Sequence, residues 1–216
     1  MRAWIYTVFL LSGFAALLYQ IVWQRALYAI YGINIESVTM VVTAFMLGLG
    51  LGSIAGGIVS KDPKRPVLLM FALVELGIGL FGAVSLAVFH GVGEATLGMS
   101  AVGTFVVTFL LVLVPTLLMG STLPLLVAHL VRSSGNVGKS VGTLYFVNTL
   151  GSAFASAAAV LFIMGRAGQM GSVRIAALLN LTVSLLAYIA HRRSHRPAEI
   201  AATLSALAKS EEEVDA

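Results

Sequence analysis

The sequence has few charged residues and no cysteine. Only 10% of its 216 residues are Asp, Glu, Lys or Arg, whereas a soluble domain carries roughly 25%. So little charge cannot cover a water-facing surface, which excludes an ordinary soluble domain. The absence of cysteine excludes disulfides, thiolate metal sites and a cysteine nucleophile, and it leaves the redox compartment open.

Long apolar runs take the place of charge, and 59% of the residues are hydrophobic. A helix needs about 20 predominantly apolar residues to cross a bilayer. By that measure the fold class is an all-α integral membrane protein, with a six-helix transmembrane domain over 1–193 and a tail over 194–216. The first run follows one arginine, as in a signal peptide, but it is too long for a signal core, so we interpret it as a spanning helix. The predicted helices cover 4–30, 37–60, 67–90, 100–131, 141–165 and 171–190.

Basic residues gather at one set of helix ends. Because cytoplasmic loops are rich in lysine and arginine, these ends and both termini are predicted to lie in the cytoplasm, in the cell's inner membrane. The net charge of +4 belongs to these loops, so we do not interpret it as nucleic-acid binding. The basic ends carry Arg2, Lys61, Lys64, Arg65, Arg132, Lys139, Arg192, Arg193 and Arg196, and the other ends carry Arg166 and Arg174 beside Glu36 and Glu94.

The tail differs from the rest of the chain in being rich in polar residues. Pro197 suits a first helical position, and Ile200, Leu204 and Leu207 share one helix face. The tail is predicted to form a short amphipathic helix, either lying on the membrane surface or docking a soluble partner.

The second predicted helix carries Gly48, Gly52 and Gly56 at a spacing of four. This spacing places three positions without side chains on one face, so a neighbouring helix can approach closely there. We predict that helix 2 packs through this face.

Glu75 is the one carboxyl predicted to lie well inside the bilayer. Intramembrane ionisable and amide groups are costly and are therefore candidates for function. At 1.5 Å per residue, Glu75 lies about 12 Å below the cytoplasmic end of helix 3, and Asn148 and Thr122 fall at a similar depth, as do Ser12 and Pro124. Glu75 is either a proton or cation site or a structural carboxyl bonded to Asn148 or to the backbone.

A second polar patch lies on helix 1, where Gln20 and Gln24 are one turn apart and can face one cavity. By depth this patch belongs to the outer half of the membrane, away from Glu75. Arg25 is expected to extend to the outer interface or to pair with Glu36 or Glu94. The neighbouring Tyr19 and Trp23 are interpreted as interface aromatics.

Other motifs do not indicate catalysis. The segment 133–140, SSGNVGKS, approximates a phosphate loop but lacks its first glycine and a preceding strand. The four histidines have no metal-ligand spacing. We therefore expect no enzyme activity, no cofactor and no metal; an intramembrane enzyme, with Glu75 as its acid–base group, is the weakest hypothesis.

Four blocks of the sequence together resemble the membrane region of spermidine-synthase-like integral membrane proteins. This resemblance implies a bundle like half of a major facilitator superfamily transporter, with Gly57, Asp62, Lys64 and Arg65 as counterparts of its charged gating turn. It differs in Gln20, where an acidic residue is usual, and in Pro63, where glycine is usual. The four blocks are SGFAALLYQIVWQRAL, FMLGLGLGSIAGGIVSKDPKRP, PTLLMGSTLPLL and VGTLYFVNTLGSAFAS.

Two functions follow as expectations. In the first, the protein is a homodimer of half-facilitator units that moves a small polar or cationic solute, including polyamine-related ones. In the second, it is a non-transporting module in the lipid bilayer that anchors a soluble aminopropyltransferase-like enzyme at the cytoplasmic face. The chain ends at Ala216 without a synthase-like domain, so we expect no aminopropyl transfer by this sequence alone.

Overall fold

The computed structural model describes residues 3–31 and 34–214, with side chains placed for 3–30, 39–100 and 102–194. Every regular element in this part of the chain is helical, which confirms the all-α prediction. The elements are α1 (Ala3–Tyr31), α2 (Asn34–Ser60), α3 (Val67–Ala95), α4 (Ala101–Ser134), α5 (Val137–Ala158), a π-helical turn (Ala159–Ile163) and α6 (Met164–Val214).

Five helical stretches of the described residues are long and apolar enough to cross a membrane, where the sequence predicts six. The difference lies at the carboxyl-terminal end, because the predicted fifth and sixth helices fall within one 58-residue stretch, Val137–Ser194. These stretches indicate a multi-pass membrane protein whose apolar surface contacts lipid. The other four are Ala3–Ile30, Thr39–Ser60, Val67–Ala95 and Val102–Ser134.

The long stretch changes direction at Gly168, whose φ of 64° and ψ of −169° are not helical. Asn148 bonds to the backbone of Phe9, and Asn180 bonds to Glu75, which also accepts from Ser12. Phe9 and Ser12 are one turn apart on α1, whereas a straight helix from 148 to 180 would be about 48 Å long. The chain therefore folds back at Gly168, so that α5 and α6 both reach the same level of α1.

The backbone of the tail differs from its prediction. Helix α6 runs to Val214, so residues 194–214 continue the last helix, and none begins anew at Pro197. The predicted apolar face of Ile200, Leu204 and Leu207 involves side chains outside the described ones.

The glycine face of α2 lies against α4. A Cβ on Gly52 would collide with the backbone of Leu117, and one on Gly56 would lie 2.8 Å from Pro124 Cγ and Ser121 O. A Cβ on Gly48 would likewise collide with Thr116. The face predicted from the spacing is thus the face that contacts another helix of the same chain.

Two further helix pairs form in similar ways. Helix α1 packs closely on α5, because a Cβ on Gly13 or Gly151 would collide with the backbone of the opposite helix, at Asn148 and Leu10. Helix α3 packs on α6 through polar contacts, such as the hydrogen bond from Ser184 Oγ to Ala72 O at 2.7 Å. The bundle therefore consists of the pairs α1–α5, α2–α4 and α3–α6.

The charged turn between α2 and α3 is bonded to the end of α4. The Arg132 guanidinium donates to the carbonyl oxygens of Arg65 and Asp62, both at 2.8 Å, and of Ser60 at 3.2 Å. Ser60 is the last residue of α2, where carbonyl groups lack partners within the helix, so Arg132 supplies a donor from another helix. The carbonyl groups of Asp62 and Arg65 also accept from backbone N–H groups of the turn. The basic turn and the basic end of α4 therefore lie at the same end of the bundle.

The segment that approximates a phosphate loop is the turn between α4 and α5. Gly135 ends α4 at a φ of 68°, and its N–H donates to Val131 O. The Asn136 side chain then caps α5 by accepting from Lys139 N at 2.9 Å. Ordinary helix capping explains this run of small polar residues.

Tyr19 and Trp23 are core residues, so their interpretation as interface aromatics is wrong. Both side chains are 0% exposed, and their rings stack with centroids 5.0 Å apart. Trp23 Nε1 donates to Ser85 Oγ at 2.9 Å, which satisfies the indole inside the bundle. A buried polar partner on α3, rather than the membrane interface, accounts for this tryptophan.

Candidate functional site

Glu75 lies at the centre of the polar contacts between α1, α3 and α6. Its side chain is 0% exposed. Ser12 Oγ donates to Oε1 at 2.6 Å, and Asn180 Nδ2 donates to Oε2 at 2.5 Å. Hydrogen bonds to an ionised acceptor are shorter and stronger than neutral ones, and both carboxyl oxygens receive one here.

The predicted pairing of Glu75 with Asn148 is wrong. Asn148 Nδ2 donates instead to Phe9 O at 3.2 Å, which fixes α5 against α1. Its level along the bundle agrees with the depth estimate, but its side chain points to a different helix. Depth along the helix does not determine rotation about the helix axis, and rotation selects the partner.

A partly enclosed cavity of about 110 Å³ lies next to the Glu75 cluster. Half of the residues that line it are polar. The polar lining residues are Ser12, Gln20, Thr122, Asn148, Ser152 and Asn180, and the apolar ones are Ala16, Leu17, Phe45, Leu49, Ile78 and Met119. A liquid-like water occupies about 30 Å³, so the cavity is large enough for several waters or a small organic group.

Three of the predicted site residues line this cavity. Thr122, 5% exposed, donates within α4 to Met119 O at 2.7 Å. Gln20 also lines the cavity, together with Asn148. The sequence assigned Gln20 to a separate patch distant from Glu75, whereas the structure places it in the cavity that Ser12 and Asn180 share.

The structure does not bring the rest of that patch into the cavity. Gln24 is half-buried and Arg25 is exposed, and neither is a lining residue. Among the described side chains Arg25 forms no ion pair with Glu94, and Glu36 lies outside the described side chains. Of the predicted patch, Gln20 therefore lines the cavity, whereas Gln24, one turn further along α1, does not.

The residues of the predicted gating turn lie at the end of the bundle and not at the cavity. Arg65 Nε is 3.7 Å from Asp62 Oδ2, with both side chains half exposed. Asp62 Oδ1 also accepts from the backbone N–H of Lys64 at 2.9 Å. These contacts shape the turn that Arg132 holds.

Sequence reasoning missed Asn180 and Ser152. Asn180 is the one amide in the apolar run ALLNLTVSLL, so the criterion that selected Asn148 would also have selected it. Ser152 Oγ donates to Gly13 O at 3.0 Å; a serine among alanines and glycines gives no such signal.

Two buried polar atoms in the described residues lack a hydrogen-bond partner. They are Asn180 Oδ1 and the Tyr19 hydroxyl. Buried polar groups are nearly always paired, so both atoms are exceptions, and Asn180 also contributes to the cavity wall. No group of three or more His, Cys, Asp or Glu in the described chain could hold a metal ion.

Comparisons with protein-family models, with curated proteins and with solved structures find no match to this chain.

Proposed function

We propose that the protein is a transporter-like membrane protein for a small polar or cationic solute. The observation that carries this proposal is a cavity inside the bundle, half of whose lining residues are polar, with the buried Glu75 directly behind its wall. Intramembrane ionisable groups that border a cavity are typical of solute and proton pathways.

The proposed architecture is a six-crossing unit equivalent to half of a facilitator. The reversal at Gly168 supports two crossings within the last stretch, and the four sequence blocks that resemble membrane regions of spermidine-synthase-like proteins support the likeness to half of a facilitator. In a full facilitator the pathway lies between two such halves. We therefore propose a homodimer in the inner membrane, with both termini in the cytoplasm.

Transport into proteoliposomes tests the proposal. Purified protein would be reconstituted, and the uptake of putrescine, spermidine and propylammonium would be measured with and without a proton gradient. We expect saturable uptake of at least one amine that depends on the gradient. The matched variants are Asn148→Leu, which removes a polar group from the cavity wall, and Leu178→Ala, which changes an exposed residue of α6.

Uptake no faster than in empty liposomes, with a folded protein, would contradict transport. It would favour the anchoring module, which a pull-down of a soluble aminopropyltransferase-like enzyme from the same cell would then test. Uptake by the Asn148→Leu protein at the wild-type rate would show that transport does not use this cavity.

A further inference from the structure

The hydroxyl groups on the cavity wall have their hydrogens committed to the protein. Ser12 donates to Glu75 Oε1 at 2.6 Å, Thr122 to Met119 O at 2.7 Å and Ser152 to Gly13 O at 3.0 Å. A hydroxyl has one hydrogen to donate and two lone pairs to accept. What these three side chains can still offer to an occupant is therefore acceptor capacity.

The two asparagines add to the same bias. Asn148 donates one amide hydrogen to Phe9 O, and Asn180 donates one to Glu75 Oε2. Asn180 Oδ1 has no partner. Behind Ser12 and Asn180 lies the carboxyl of Glu75, which places a negative charge next to the wall when it is ionised. The polar half of the cavity thus has free acceptor capacity at Ser12, Thr122 and Ser152, and it lies next to an anion when Glu75 is ionised.

The other half of the wall is hydrocarbon, and none of the lining residues carries a charge. We propose that the cavity binds a primary alkylammonium ion, with its N–H groups on the acceptors and its carbon chain against the apolar side. This inference rests on the proposed function and names its solute class. The remaining amide hydrogens of Gln20 and the two asparagines can donate to a neutral solute, but an anion would be repelled by an ionised Glu75 behind this wall.

The arrangement also makes the ammonium ion and a proton on Glu75 compete. Both carboxyl oxygens already accept hydrogen bonds, so a protonated Glu75 must reverse one of them. In one arrangement the carboxyl hydrogen is donated to Ser12 Oγ, and the serine hydrogen no longer bonds to Glu75. In the other it is donated to Asn180 Oδ1, and the amide group turns so that its N–H₂ takes the place of that oxygen. In either case an acceptor is lost beside the cavity, so binding of one ammonium ion is linked to release of one proton.

Few other titratable groups face this cluster. On α1, Tyr19 is close enough to Glu75 to interact with its charge, and its hydroxyl lies against Gly82 of α3. The lining residues contributed by α2, α4, α5 and α6 include no titratable side chain. A proton released on binding is thus assigned to Glu75.

Calorimetry on the purified full chain tests the inference, with propylammonium as the probe and tetramethylammonium as its control. Tetramethylammonium has the same charge and no N–H. We expect propylammonium to bind at least about tenfold more tightly. Below the pH at which Glu75 takes up its proton, the affinity for propylammonium should fall about tenfold for each unit by which the pH is lowered, as linkage to one proton requires.

Two variants separate binding from folding. Glu75→Gln cannot exchange a proton, so its binding should be weaker and should no longer follow pH. Thr122→Val removes one acceptor from the cavity wall with little change of shape, and it should weaken the binding of propylammonium several-fold. Thr182→Val makes the same change at an exposed residue with an equivalent intrahelical bond, Thr182 Oγ1 to Leu178 O at 2.7 Å, and should bind as the wild type does.

Equal affinity for both probes, pH-independent binding to the wild type, or an unchanged pH slope in a folded Glu75→Gln protein would each overturn the inference. Binding of propylammonium without any uptake would keep this inference and contradict transport. Uptake of another solute, with no binding of propylammonium, would keep the transport proposal and contradict this inference.

Discussion

Asn180 and Glu75 lie 105 positions apart in the sequence and are joined by a hydrogen bond of 2.5 Å inside the bundle. This bond ties α6 to α3, and the bond from Ser12 to the other carboxyl oxygen ties α1 to the same residue. A single side chain therefore connects three helices.

The first prediction concerns the removal of that side chain. Glu75→Ala should lower the free energy of unfolding by about 1–3 kcal/mol for each of Ser12 and Asn180 that is left unpaired, whereas Glu75→Gln should keep most of the stability. Thermal melts in detergent would measure both. Equal melting temperatures for the Ala variant and the wild type would show that these bonds do not stabilise the bundle.

The same Gln variant tests the role of Glu75 in transport. Because glutamine keeps the shape and hydrogen-bonding capacity but cannot lose a proton, uptake driven by a proton gradient should stop in a protein that remains folded. Uptake without a gradient measures the remaining activity. A fully active Glu75→Gln protein would make the carboxyl structural.

The close packing of α2 on α4 predicts that a side chain added to its glycine face destabilises the fold. Gly52→Ala should destabilise the fold by about 1–3 kcal/mol, because its Cβ would overlap the Leu117 carbonyl. Gly50→Ala is the matched control on the same helix, since a Cβ there meets nothing within 4 Å. Similar melting temperatures for the two variants would refute this packing argument.

Arg132 is predicted to hold the charged turn by hydrogen bonds rather than by charge alone. Arg132→Lys keeps the charge but replaces a planar fork of donors by a single ammonium group. Amide hydrogen exchange in residues 61–66 should accelerate in this variant, while Lys139→Arg, at the same end of the bundle, should leave it unchanged. Unaltered exchange after Arg132→Lys would mean that the turn holds itself, through Asp62 and Arg65.

The membrane orientation can be tested by cysteine labelling, because the native chain has no cysteine. A membrane-impermeant reagent added outside should label Glu94→Cys and should miss Lys64→Cys. Both side chains are exposed in the structure, so burial within the protein does not explain a difference. The opposite pattern would reverse the predicted orientation.

The sequence predicted an all-helical membrane protein and the positions of the first four helices, because apolar runs of this length have few alternatives. It also predicted the face of α2 that packs, since three glycines at a spacing of four lie on one side of a helix. It did not predict the partner of Glu75, because counting residues gives depth but not rotation about the axis. For Trp23 the sequence was ambiguous, since aromatic residues occupy both membrane interfaces and protein cores. Its hydrogen bond to Ser85, which is distant in sequence, shows that it lies in the core.

The pairing of the helices has a mechanical consequence. Within α2–α4 and α1–α5 the backbones touch where a methyl group would not fit, so sliding inside either pair is blocked by contacts between main chains. The cavity takes lining residues from all three pairs, including Ser12, Thr122 and Asn180. Its width therefore changes most readily when whole pairs tilt against one another. Gly168, near the start of α6, is the point at which the chain turns from the α1–α5 pair to the α3–α6 pair, which is the position of a hinge for such a tilt.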